Sequence, residues 1–121
     1  FDKCELIIPV PISKQRLLER GFNQAAVLAG IVGRSYRIPV DEQSLQRTVH
    51  TPMHRAAMDR KARETTVKNA FSVVRPKFVE GRSILLIDDV LTSGSTASYC
   101  AKVLKKKGAA KVSVLTLARA V

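Results

Sequence analysis

Apolar residues occur in short blocks along this chain, and the spacing within each block predicts an element. Leu6-Ile7-Ile8-Pro9-Val10 is an apolar run of strand type, with Pro9 and Pro11 marking where ladder pairing must stop. The stretch from Ile12 to Gly21, which carries Lys14, Arg16 and Arg20, reads as loop. Asn23 can then cap a helix that places Ala25, Leu28, Ala29 and Val32 on one face, with Gly33 positioned to end it. Arg37-Ile38-Pro39-Val40 reads as a short extended piece. Ala70-Phe71-Ser72-Val73 alternates like a half-buried strand, and Gly81-Arg82 is a turn. Ser83 leads into Ile84-Leu85-Leu86-Ile87, an unbroken apolar run of the kind buried on both faces. Ala97, Cys100, Ala101 and Leu104 form the stripe of a second helix stopped by Gly108, and Val112 to Leu117 supply a last strand. Strands that alternate with helices of about 11 residues imply crossover connections. The fold class expected is α/β, a mainly parallel sheet flanked by helices.

Residues 46–69 differ in kind. They hold Arg47, His50, His54, Arg55, Arg60, Lys61, Arg63 and Lys68, and before Val67 their only large apolar side chains are Val49, Met53 and Met58. So polar a segment adds little to a core and is expected to be a mobile loop or an exposed helix. There is no internal repeat or low-complexity tract, and 121 residues fit a single domain spanning 1–121. No apolar run approaches the roughly 20 residues of a membrane span. Phe1-Asp2-Lys3 reads as the edge of an excised domain, so an upstream part of the natural protein is expected before it.

Charge alters the picture more than composition does. Against 45% hydrophobic residues stand 21 Lys+Arg and 10 Asp+Glu, a formal charge of +11. A field of that sign attracts polyanions: nucleic acid, an acidic membrane surface or a phosphate-rich ligand. Cys4 and Cys100 lack metal-type spacing and read as small buried hydrophobes, which fits a reducing, cytoplasmic setting. His50 and His54 are too far from any Cys pair for a metal site, and Tyr36 and Tyr99 are too sparse for a base-stacking platform. Lys105-Lys106-Lys107 suits the negative end of a helix dipole, while Lys102, Lys105 and Lys106 share a face that could meet a polyanion.

The chemistry concentrates where the most apolar strand ends. Ile84-Leu85-Leu86-Ile87 runs into Asp88-Asp89, then Val90-Leu91, then Thr92-Ser93-Gly94-Ser95-Thr96 at a helix start. Ligands of open parallel sheets bind beyond the carboxyl ends of the strands. Loop amides, a helix N-terminus and the hydroxyls of Thr92, Ser93, Ser95 and Thr96 make a seat for a phosphate monoester. Adjacent carboxylates can accept hydrogen bonds from sugar hydroxyls or hold Mg²⁺ through its waters. Acid pair plus phosphate loop reads as a receptor for a phosphorylated sugar. A Walker A loop would need a Gly-Lys-Ser/Thr and a dinucleotide fingerprint three spaced glycines, but here Gly94 stands alone. A receiver domain has acids at a strand end without the Thr-Ser-Gly-Ser-Thr that follows here.

Residues 84–96 resemble the 5-phosphoribosyl-1-diphosphate (PRPP) motif of type I phosphoribosyltransferases. Ile8-Pro9-Val10-Pro11, Arg20-Gly21-Phe22-Asn23-Gln24, Asn69-Ala70-Phe71 and Leu115-Thr116-Leu117-Ala118-Arg119 resemble the competence-associated ComF family of such domains. The resemblance implies a type I phosphoribosyltransferase fold with a flexible hood loop. It implies that Asp88 and Asp89 bracket the ribose 2- and 3-hydroxyls and hold Mg²⁺ indirectly, and that Thr92, Ser93, Gly94, Ser95 and Thr96 hold the 5-phosphate. Arg20 and Gly21 take the place of the diphosphate loop, and Arg63 matches the basic position of the catalytic hood. Two hood positions depart from the family pattern, Arg55 where Gln is usual and Thr66 where Asn is usual. The implied reaction displaces diphosphate from the anomeric carbon of PRPP, passing ribose 5-phosphate to an unknown acceptor. Arg20 and Arg63 assist with charge, and the 46–69 segment excludes water. The partners implied are PRPP or another 5-phosphorylated ribose, together with a homodimer or components of the competence machinery. The alternative is a non-catalytic module that binds single-stranded DNA in competence and DNA uptake.

Overall fold

In chain order the elements are β1 (Leu6–Pro9), α1 (Lys14–Arg20), α2 (Gln24–Tyr36), β2 (Leu45–Arg47), β3 (Phe71–Val73), α3 (Pro76–Val79), β4 (Ser83–Leu91), α4 (Ser95–Lys106) and β5 (Lys111–Arg119). They come from a computed structural model that describes residues 3–47, 70–91 and 95–119. β4 lies between β1 and β5, and both pairs are parallel. Val40 bridges in parallel to Ile7 on the outer side of β1. The expected mainly parallel sheet flanked by helices is present.

The sheet sorts its side chains into two cores because strand residues alternate between faces. Leu6, Ile8, Ile84 and Leu86 join Ala97, Cys100 and Leu104 of α4, together with Leu45, Phe71 and Val73. Ile7, Leu85, Ile87 and the half-buried Leu115 meet Ala29, Leu28 and Val32 of α2. Ile84 to Ile87 are each no more than 2% exposed, so β4 is apolar on both faces because both faces are covered. Val10 N–H donates to Ile87 O at 2.8 Å, which turns the nitrogen of Pro9 away from β4, where no ladder bond is required of it.

Several expectations require correction. Ile12 to Gly21 is not loop, since Lys14–Arg20 form α1. Ser13 caps it by accepting from Arg16 N–H, Gly21 closes it at φ 83°, and the intervening Lys-Gln-Arg-Leu-Leu-Glu-Arg are strong helix formers. No residue of α1 is buried, so the helix lacks the apolar stripe that would reveal it. Leu45–Arg47 is a strand paired antiparallel with β3, so Gln46 and Arg47 do not belong to a polar loop or helix. The remainder of that segment, 48–69, lies outside the described residues. α3, opened by Pro76, also has no expectation to match.

The capping of α2 by Asn23 is present and extends further than a cap. Its Oδ1 accepts from Ala25 N–H while its Nδ2 donates to Val10 O at 3.1 Å, tying the helix start to the end of β1. Gly33 does not end the helix, which continues to Tyr36 and is closed by Arg37 in a left-handed conformation at φ 56°. The N–H groups of Arg37 and Ile38 both donate to Gly33 O. The extended piece expected at 37–40 therefore begins only after this cap. Glycine is needed at position 33 for close approach: a Cβ there would lie 2.7 Å from Val40 Cγ2 and 2.8 Å from Ile38 O.

Helix propensity alone favours Gly33→Ala by about 1 kcal/mol. Overpacking costs about 1–3 kcal/mol, and here one obstacle is backbone that cannot rotate away. Gly33→Ala is expected to lower stability in urea unfolding with an unchanged m-value. A variant as stable as the parent would contradict this packing.

Candidate functional site

The strand does not end at Ile87 as expected: β4 carries Asp88 and Asp89 within it and pairs with β5 as far as Leu91, so the acids follow directly on the residues that fill the two cores. Asp88 continues the row of Ile84 and Leu86 on the α4 side, pairs in register with Thr116, and is only 9% exposed. Asp89 follows it half-buried, and its N–H donates to Asp88 Oδ1 at 2.9 Å. The two side chains also share a hydrogen bond. Burial first, then that bond and the Asp89 charge, push the Asp88 carboxyl up to about 6, against the backbone N–H that favours its anion.

The wall on the α4 side is Cys100, which is fully buried. Its thiol is pushed up to about 12 by burial and then by the Asp88 charge, so it stays protonated near neutral pH. The buried reading of Cys100 therefore holds, whereas Cys4 is only half-buried. Arg47 also faces this region: burial and then the Arg16 charge hold its guanidinium below the usual range, with the Cys100 group acting the other way.

The structure brings Asp88 and Asp89 together and leads from them into α4, whose first turn contains Ser95 and a half-buried Thr96. Thr92, Ser93, Gly94 and Arg63 lie outside the described residues. Arg20 is exposed in the last turn of α1 and Gly21 is its left-handed cap. Among the described residues, Arg20 makes no hydrogen bond or ion pair to either carboxylate. Sequence reasoning missed the place of Arg47 on this side of the sheet. The position of Arg47 would have been legible had Leu45-Gln46-Arg47 been paired with Phe71-Ser72-Val73.

Comparison with known proteins fits this geometry. Residues 13–120 match the phosphoribosyl transferase domain family. The chain is 39% identical over 117 residues to "Competence protein F" of Haemophilus influenzae, covering 96% of this chain and 51% of that protein. It is 35% identical over 123 residues to "Competence protein ComFC" of Bacillus subtilis, covering 98% of this chain and 46% of that protein. The chain thus spans about half the length of the curated relatives it matches. Among solved structures, glutamine phosphoribosylpyrophosphate amidotransferase from B. subtilis superposes with a TM-score of 0.59 at 20% identity, over 93% of this chain and 22% of that one. At that identity the likeness speaks for the fold alone.

The burial of Asp88 has a pH signature. A folded-state value near 6, above the ordinary 3.8, means that the fold favours the protonated acid. Its ionisation therefore costs stability, increasingly as pH rises from about 4 to about 6 and steadily above that. Asp88→Asn keeps an oxygen for Asp89 N–H and removes the charge. It is expected to melt several degrees higher than the parent at pH 7.5, with the difference vanishing below about pH 4. A variant less stable than the parent at pH 7.5 would contradict it.

Proposed function

Because the chain belongs to the phosphoribosyl transferase domain family and is similar to Competence protein F and Competence protein ComFC, we propose that it binds a 5-phosphorylated ribose, PRPP foremost, with Mg²⁺ and transfers ribose 5-phosphate to an acceptor. The observation that carries this reading is the hydrogen-bonded pair Asp88 and Asp89 near the carboxyl end of β4, the strand that precedes α4 in the chain. On this reading both carboxylates accept hydrogen bonds from the ribose 2- and 3-hydroxyls and so orient the anomeric carbon. The amides and hydroxyls of Thr92 to Thr96 seat the 5-phosphate at the positive end of the 12-residue α4. Arg20 and Arg63 take up charge on the departing diphosphate.

The donor set suits Mg²⁺. It is hard oxygen, and Mg²⁺ is typically held by one or two carboxylates together with waters and substrate phosphates. Among the described residues no third His, Cys, Asp or Glu joins the pair to close a protein cage. Bound there, Mg²⁺ would neutralise charge on the leaving diphosphate. A largely protonated Asp88 is a poor ligand, so Mg²⁺-dependent affinity should fall as pH drops below about 6.

A second reading, binding of single-stranded DNA, is favoured by the charge of +11 and by Lys102, Lys105 and Lys106, all exposed on one face of α4. Lys102 Nζ lies 5.1 Å from the centre of the Tyr99 ring, and Lys105 Nζ donates at 3.2 Å to Ala110 O in the connection to β5. Backbone contacts of this kind bind without sequence preference.

Ribose 5-phosphate with Mg²⁺ at about 100 times its dissociation constant should add about 2.7 kcal/mol of stability in thermal unfolding. The double change Asp88→Asn and Asp89→Asn should remove that shift while unfolding stays cooperative. A parent chain that shows no shift with ribose 5-phosphate or PRPP would sink the first reading. For the second, affinity for single-stranded DNA should fall with salt at a slope of about −0.7 per neutralised phosphate. Exchange of Lys102, Lys105 and Lys106 for Glu should weaken it equally for all sequences. Salt-independent binding would contradict it.

A further inference from the structure

β5 is an edge of the three-stranded sheet. It pairs with β4 along one side, and among the described residues no strand pairs with the other. Natural edges are blunted by Pro, by charged side chains or by bulges, because an open row of N–H and C=O groups invites another strand. Val112-Ser113-Val114-Leu115-Thr116 carries neither Pro nor charge. None of these five side chains is buried, and Val114 is 46% exposed, whereas their neighbours Ile84 to Ile87 on β4 are all buried.

A groove lies beside this edge. α2 packs on β1 and β4, and on β5 the apolar Leu85, Val114 and Leu115 line a cavity of about 450 Å³ with Lys3, Cys4 and Lys111 also on its walls. Leu85 and Leu115 belong to the α2 side of the sheet, the face opposite the row that Asp88 continues. Lys3 and Lys111 are exposed, and among the described residues neither side chain has an ion pair or a hydrogen bond. An open strand edge beside an apolar groove is the geometry of strand addition: main-chain bonds extend the ladder and alternate side chains enter the groove. The two cations select acids on the incoming strand. A second copy of this chain is disfavoured, because it brings the same lysines and a like charge of +11. Nucleic acid would answer the lysines but neither the apolar walls nor the open row of backbone groups.

We propose that the outer edge of β5 receives an extended acidic segment of a partner protein, which adds a strand to the sheet, places apolar side chains against Leu85 and Leu115, and sets carboxylates against Lys3 and Lys111. The groove is on the face of the sheet opposite Asp88, so this surface stands independently of the phosphoribosyl reading.

The test adds a blocked peptide of alternating Val and Glu to ¹⁵N-labelled chain and follows the β5 amide resonances, with alkylation of Cys4 as a second readout. Cys100 is fully buried and its thiol stays protonated, so an alkylating reagent reports on Cys4. The peptide should move the amides of Lys111 to Leu115 saturably and slow the alkylation. The same peptide with Lys in place of Glu, or N-methylated throughout, should do neither. Lys3→Glu with Lys111→Glu alters two exposed side chains and should weaken peptide binding about tenfold. Amides that stay unmoved, or that respond equally to the Lys peptide or to the N-methylated one, overturn the proposal. Other results overturn it in favour of another occupant. A single-stranded oligonucleotide that moves the same amides and displaces the peptide gives the surface to nucleic acid. Chains that sediment as dimers without peptide, with the same amides shifted, give it to a second copy. A form extended before Phe1 in which Cys4 is already shielded gives it to its own chain.

Discussion

Everything in this domain depends on a strand buried on both faces that must end in water. β4 is covered by α4 on one side and α2 on the other, and Ile84 to Ile87 fill both interfaces. Such a strand cannot shift register by one residue without exchanging its two faces. The position of Asp88 is therefore set by the packing of Leu86 and Ile84 beneath it, not by contacts of its own. This explains how a carboxyl group comes to be nearly buried beside a second acid: the stability of the strand below holds it there.

The periphery is organised around the same end of the sheet. Asn23 ties the start of α2 to Val10 just beyond β1, and Gly33 lets the chain return close enough for Val40 to bridge Ile7. β2 and β3 pack on the α4 side through Leu45, Phe71 and Val73, which brings Arg47 over that face. Arg47 is thus carried by a three-residue strand, whereas the carboxylates sit on the best-packed strand.

What could be read in the sequence follows from the same physics. β1, β4, α2 and α4 are legible because burial imposes a period on them: the unbroken run Ile84–Ile87, the row Ala25-Leu28-Ala29-Val32, the stripe Ala97-Cys100-Leu104. α1 is not, because it buries nothing and its signals are Ser13, Gly21 and propensity alone. β2 is not, because three residues are too few to show alternation and become a strand only by pairing with Phe71–Val73. The end of α2 was misplaced because Gly33 serves close packing, while the left-handed cap falls to Arg37. Asp88 and Asp89 are legible as a pair, but the raised value of Asp88 arises from burial, which no local pattern reports.

The central claim is that the fold holds Asp88 as a buried acid able to be ionised by its ligand. A ¹³C NMR titration of the Asp88 carboxyl measures this directly. The account predicts a midpoint near 6 in the free chain, falling once Mg²⁺ and ribose 5-phosphate are present, since the cation favours the anion. An ordinary midpoint near 3.8, or one that the ligands leave unmoved, would contradict it.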